Sequence, residues 1–114
     1  MMSNVGDPDL VNALNDTVIR LDNGIKNMFK TGKAYASANH DYKVAVYEEA
    51  YRMKAAGETM TMINIALKGS PKVAPLLLER DTQKVLYDAA LETINILKLK
   101  AKLLEAQIDR EYRG

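Results

Sequence analysis

The chain has no cysteine and no tryptophan, and only one phenylalanine, one histidine and three prolines among its 114 residues. Without cysteine, disulfides and thiol chemistry are excluded, and a small secreted domain held by bridges is not expected. Excess charge of one sign is missing as well. Sixteen Lys and Arg against fifteen Asp and Glu leave +1. Net charge thus gives no support for a nucleic-acid binder, and any basic surface has to be local. No apolar run approaches the roughly 18 residues of a membrane span. The opening "MMSNVGDPD" has neither a basic start nor an apolar core, so no signal peptide is expected and the cytosol is the default location.

Catalytic and metal-binding patterns are also scarce. The single histidine, His40, stands beside Asp41 in "SANHDYK", where a bend or helix start is expected and a solvated imidazole suffices. A metal site needs three or four converging ligands, and no H-x-x-x-H, E-x-x-H or paired-cysteine spacing occurs, so neither a metal nor a cofactor is expected. Glu48 and Glu49 are adjacent, point about 100° apart on a helix, and do not share a proton site. In "LLLERDTQK", Glu79 is placed to bridge Gln83, and Arg80 to meet an acid such as Asp81 of a facing helix. "GKAYAS" lacks the upstream glycine of a phosphate-cradling loop. No serine, histidine and acid arrangement suggests a nucleophile. An enzyme is not expected.

What the chain does have is helical periodicity. Hydrophobic residues make up 47% and charged residues 27%, ordinary for a folded protein. Residues 1–6 are expected to be disordered. "GDPDL" then reads as a helix start, with Asp7 as cap, Pro8 in the first turn and Asp9 at the positive end of the dipole. Leu14, Val18, Leu21, Ile25 and Met28 form one seam, which predicts an N-terminal helix over 7–31. Gly24 and Gly32 weaken it, and a bend or break is expected near "TGK" at 31–33. A second helix and a short helix are expected over 35–69, with a stop at Gly57 and an end at Gly69. "TMTMI" alternates as a strand would, but no other strand candidate exists to pair with it. Residues 70–75 form a turn around Ser70, Pro71 and Pro75.

The last helix is expected over 76–112, with a seam of Tyr87, Ala90, Ile94, Leu97, Ala101, Leu104, Ile108 and Tyr112. At 1.5 Å per residue it spans about 55 Å, against a radius of gyration near ~13 Å for a compact domain of this size. A second stripe, Leu86, Thr93, Ile96, Leu99 and Leu103, lies beside the first and needs further cover. The expected fold is therefore all-α. It is an elongated, coiled-coil-like helical hairpin with an additional N-terminal helix, assembled as a homo-oligomer. Its interface is expected to draw on Ile94, Leu97, Leu104 and Ile108 of the seam and on Ile96 and Leu103 of the second stripe.

Local basic and aromatic clusters are the strongest functional leads. Lys26, Lys30 and Lys33 fall at i, i+4 and i+7 on one helix face; with Arg20 and only Asp22 opposing, residues 20–33 carry +3. Lys98 and Lys102 share a second face. Tyr35, Tyr42, Tyr47 and Tyr51 interleave with Lys43, Arg52 and Lys54. Lysines neutralise phosphates and tyrosines stack on unpaired bases. Lys26, Lys30, Lys33, Lys98 and Lys102 are thus expected on phosphates, and Tyr35 and Tyr42 on bases.

"YKVAV", "TMINIALKG", "ERD", "YDAALETI" and "LEAQIDREY" resemble small proteins from the early or replication regions of phages and prophages of Gram-positive bacteria. The resemblance covers roughly residues 42–113. In helical order, and over Tyr87 to Lys98, the chain is also similar to the recombination mediators of T-even phages. That likeness implies an all-helical oligomer that binds single-stranded DNA and helps load a recombinase. The first forty residues lie outside it. The expected function is a non-enzymatic phage accessory protein of DNA replication or recombination, acting in the bacterial cytoplasm on single-stranded DNA or its coating protein. The alternative is a protein-binding inhibitor of a host enzyme or a bacterial defence complex.

Overall fold

The computed structural model describes residues 8–113. The expected disorder of residues 1–6 and the Asp7 cap lie outside the described residues. Three helices make up the fold: α1 (Pro8–Ala55), α2 (Met60–Lys68) and α3 (Ala74–Arg113). Among the described residues there is no strand, so the alternating "TMTMI" pattern resolves as helix.

The expected break at 31–33, and with it a separate N-terminal helix, is corrected. α1 runs without interruption through Gly24, Gly32 and "SANHD". Glycine costs a helix about 1 kcal/mol relative to alanine, which weakens the helix without stopping it. Both glycines face α3, but only Gly32 also serves packing. A Cβ at Gly24 would meet Ile94 and Leu97 of α3 at 3.6 and 3.8 Å, and one at Gly32 would come within 3.0 Å of the Tyr87 ring. At Gly32 the missing side chain is what lets that ring lie against α1. His40 accordingly sits inside a helix and not at a bend.

The expected stop at Gly57 holds. Gly57 has φ +90, its N–H donates to the Lys54 carbonyl at 3.0 Å, and the Glu58 N–H donates to Met53 at 3.1 Å. This pair of bonds is a Schellman closure, and the left-handed residue at its centre favours glycine. Thr59 caps α2 by accepting from the Met62 N–H at 3.2 Å. Ser70 then turns the chain into α3. Its carbonyl accepts from Val73 and Ala74 at 3.1 and 2.8 Å, and its hydroxyl accepts from the Lys72 N–H. α3 begins two residues before the expected Leu76, with Pro75 in the first turn, where its missing N–H is harmless.

The chain divides into two compact units: Lys30–Tyr87, the connector unit, and Met1–Phe29 with Asp88–Gly114, the terminal unit. In the connector unit Tyr42 meets Arg80 and Tyr35 meets Tyr87. Seven residues down α1 correspond to seven up α3, so these segments run antiparallel, joined through α2. Ile63, Val73, Ala38 and Ser70 are buried there, and so is Glu49. In the terminal unit the buried residues are Thr17, Ala90 and Ile94. Thr17 is accommodated because its hydroxyl donates to the Ala13 carbonyl at 2.8 Å.

The α3 seam from Tyr87 to Ile108 is buried or half-buried throughout. Tyr112 is a correction: it is exposed, and Glu111 is half-buried in its place. The seam alternates spacings of three and four residues from Tyr87 to Ile108, and the next step of three falls on Glu111; Tyr112 breaks that alternation.

Candidate nucleic-acid interface

Lys26, Lys30 and Lys33 project from one face of α1, and all three are exposed. Lys26 pairs with Asp22 at 3.3 Å, with both side chains largely in water. Such a pair contributes at most about 1 kcal/mol and yields readily to a phosphate. Among the described residues no ion pair engages Lys30, Lys33, Lys98 or Lys102. Lys98 and Lys102 stand on one exposed face of α3. Lysine has a flexible stem and a point charge, so these residues are suited to tracking a backbone and not to reading base edges.

The two tyrosines expected to stack on bases are already partnered. The Tyr35 ring stacks on Tyr87, with centroids 6.3 Å apart and planes 20° apart. The Tyr42 ring carries the Arg80 guanidinium 4.5 Å from its centroid. Both tyrosines are half-buried. Their first role is to hold α1 to α3 within the connector unit. Arg80 also donates to Asp81 of the same helix at 3.0 Å, so Asp81 of a facing helix is not its partner here. The expected Glu79–Gln83 bridge is present at 2.9 Å.

Tyr47 and Tyr51 are different. They are 71% and 67% exposed, and their rings lie 6.4 Å apart at 23°. With Ala50, Lys54, Met60 and Ile63 they line an open cleft of ≈ 250 Å³. The interleaving of tyrosine and lysine is visible in the sequence. Which rings stay open is not, because the seam that claims Tyr35 and Tyr42 depends on α3.

Glu49 is a second feature that sequence reading missed. It is buried, while its neighbour Glu48 is exposed. The Arg52 guanidinium grips both carboxylate oxygens. That hydrogen bonding holds the Glu49 carboxyl below its ordinary range, against the burial that raises it, and Lys72 in the α2–α3 turn adds to the lowering. Arg52 is correspondingly held above its usual value. The i, i+3 spacing of Glu49 and Arg52 was the available signal. The pair lies within α1, on the side that Lys72 of the turn approaches.

Of the expected oligomer contacts, Ile94 is buried and Leu97 half-buried against Gly24, inside the terminal unit. Leu104 and Ile108 are half-buried. Ile96 and Leu103 are open. Among the described residues no three His, Asp or Glu gather as a metal site, and no helix is long and apolar enough to cross a membrane. Comparison with family models, curated proteins and solved structures yields no match to this chain.

Proposed function

We propose that this chain is a non-enzymatic accessory protein of phage DNA replication or recombination. It binds single-stranded DNA, or the protein that coats it, as a helical homo-oligomer in the bacterial cytoplasm. The observation that carries the DNA reading is the set of exposed lysines, Lys30, Lys33, Lys98 and Lys102, with no ion pair among the described residues. Exposed and unneutralised, they are free to displace counterions from a phosphate backbone. The phage setting rests on the resemblance over residues 42–113. An oligomer repeats each short basic face, so a chain of near-neutral net charge gains affinity through multiplicity.

The test is single-stranded DNA affinity across a salt series. The logarithm of affinity should fall with the logarithm of salt concentration, with a slope near −0.7 per phosphate neutralised. Lys30→Gln with Lys33→Gln should flatten that slope. Absence of binding at low salt, or a slope of zero, refutes the reading.

One observation favours a second reading. Ile96, Leu99 and Leu103 of α3 are each exposed by more than half, an apolar face suited to another protein. Under this reading the chain is a protein-binding inhibitor of a host enzyme or defence complex. Its signature is a stoichiometric host partner with no DNA affinity.

A further inference from the structure

We infer that Tyr47 and Tyr51 are the platform on which unpaired bases of single-stranded DNA stack, with Lys43 and Lys54 on the adjoining phosphates. The inference rests on the DNA reading above and places its base contacts on residues other than Tyr35 and Tyr42.

An aromatic ring gains from burial, and the tyrosines facing α3 obtain it: Tyr35 lies on Tyr87, and Tyr42 lies under Arg80. Tyr47 and Tyr51 do not, since about two-thirds of each remains in water. They are held near parallel, 23° apart, by successive turns of one rigid helix. Neighbouring bases of a single strand are themselves stacked flat rings, so two roughly parallel rings on a stiff support offer a matching surface.

Charge points the same way. At 3.6 residues per turn, Lys43, Tyr47, Ala50, Tyr51 and Lys54 fall within an arc of about 100° on α1. Glu48, Glu49 and Arg52 fall outside that arc. Glu58 lines a different hollow, with Arg52 and Met53. The stripe is therefore basic, aromatic and free of acids. The opposite wall of the cleft, Met60 and Ile63, is apolar. It can take the edge of a base but offers no hydrogen-bond code, so the platform should tolerate any sequence. Lys43 and Lys54 bracket the two rings, one on each side along the helix.

The experiment uses the full chain and a fluorescently labelled oligothymidylate, read by anisotropy. Tyr47→Ala with Tyr51→Ala should weaken binding about tenfold or more while leaving the salt slope unchanged. Tyr47→Phe with Tyr51→Phe should bind as the unaltered protein does. Tyr47→Leu with Tyr51→Leu keeps apolar bulk but loses the ring, and should bind as weakly as the alanine pair. Lys43→Gln with Lys54→Gln should flatten the slope. Undiminished binding by the alanine or leucine pair overturns the inference and leaves the lysine-based reading intact. Light scattering of the DNA-free alanine pair adds a second check: if it drops to a smaller assembly, the stripe faces another copy and the inference is wrong. If the unaltered protein binds no DNA, the underlying reading itself fails.

Discussion

In the connector unit three helical segments close around Ile63, Val73 and Ser70. In the terminal unit two segments share one seam around Thr17, Ala90 and Ile94. The contrast follows from geometry. A third segment covers a second face of each long helix, so Ile63 on α2 falls to 1% exposure. A pair of segments covers one stripe on each and no more. The terminal unit therefore leaves Ile19, Phe29, Ile96, Leu99 and Leu103 open. The connector unit encloses its centre but also leaves apolar groups open on its outer faces, Met60, Ile65, Leu78 and Val85 among them, and it keeps an aromatic pair, Tyr47 and Tyr51, in water.

The largest expected effects set the two cores against each other. Ile63→Ala should destabilise by about 3–5 kcal/mol, near the upper part of the range for buried Ile→Ala, because three segments cannot collapse into the hole. Ile94→Ala should cost about 2–3 kcal/mol, since a two-segment seam closes more readily. Urea unfolding of the two variants under identical conditions measures both. Equal losses would mean that the terminal unit is as tightly enclosed as the connector.

The glycines sharpen the contrast at smaller amplitude. Gly24→Ala meets Ile94 and Leu97 at ordinary contact distance, so it should stabilise by up to about 1 kcal/mol through helix propensity. Gly32→Ala drives a Cβ to 3.0 Å from Tyr87. That ring is backed by Tyr35, so the propensity gain is cancelled and a net loss of about 1 kcal/mol is expected. A rise in melting temperature for both variants would show that the Tyr87 ring yields freely.

Acid should act on the connector unit through Glu49. Its carboxyl is held below its ordinary range by Arg52, with help from Lys72. The stabilisation is present above the unfolded value of about 4.3 and is lost as pH falls through the lowered folded value. The stability difference between the unaltered protein and Glu49→Gln should be largest at neutral pH and shrink in strong acid. A difference that does not change with pH contradicts the ion pair.

The smallest effect on folding belongs to the open face of α3. Ile96→Glu with Leu103→Glu should alter stability by only about 0.5 kcal/mol, as surface substitutions do. It should nevertheless abolish self-association if that face is where copies meet.

Much of this architecture was legible in the residues. The seam from Tyr87 to Ile108, the stop at Gly57, the α2 end at Gly69 and the Ser70 turn all follow from local spacing and capping chemistry, which act within a few residues. The continuity of α1 was hidden because glycine reads as a weakness in isolation. Only the Tyr87 ring, far along the chain, shows why Gly32 is useful inside a helix. The partnering of Tyr35 and Tyr42 was hidden for the same reason. Four tyrosines interleave with basic residues, and only the antiparallel pairing of α1 with α3 decides which two are taken. The influence of Lys72 on Glu49 likewise depends on where the α2–α3 turn lies, which local spacing does not reveal.

The most direct test is mass by light scattering during gel filtration, with and without a single-stranded oligonucleotide. The free protein should have a mass of several chains, and a co-eluting complex should form when the oligonucleotide is added. A single-chain mass at high concentration, unchanged by the oligonucleotide, would contradict both expectations.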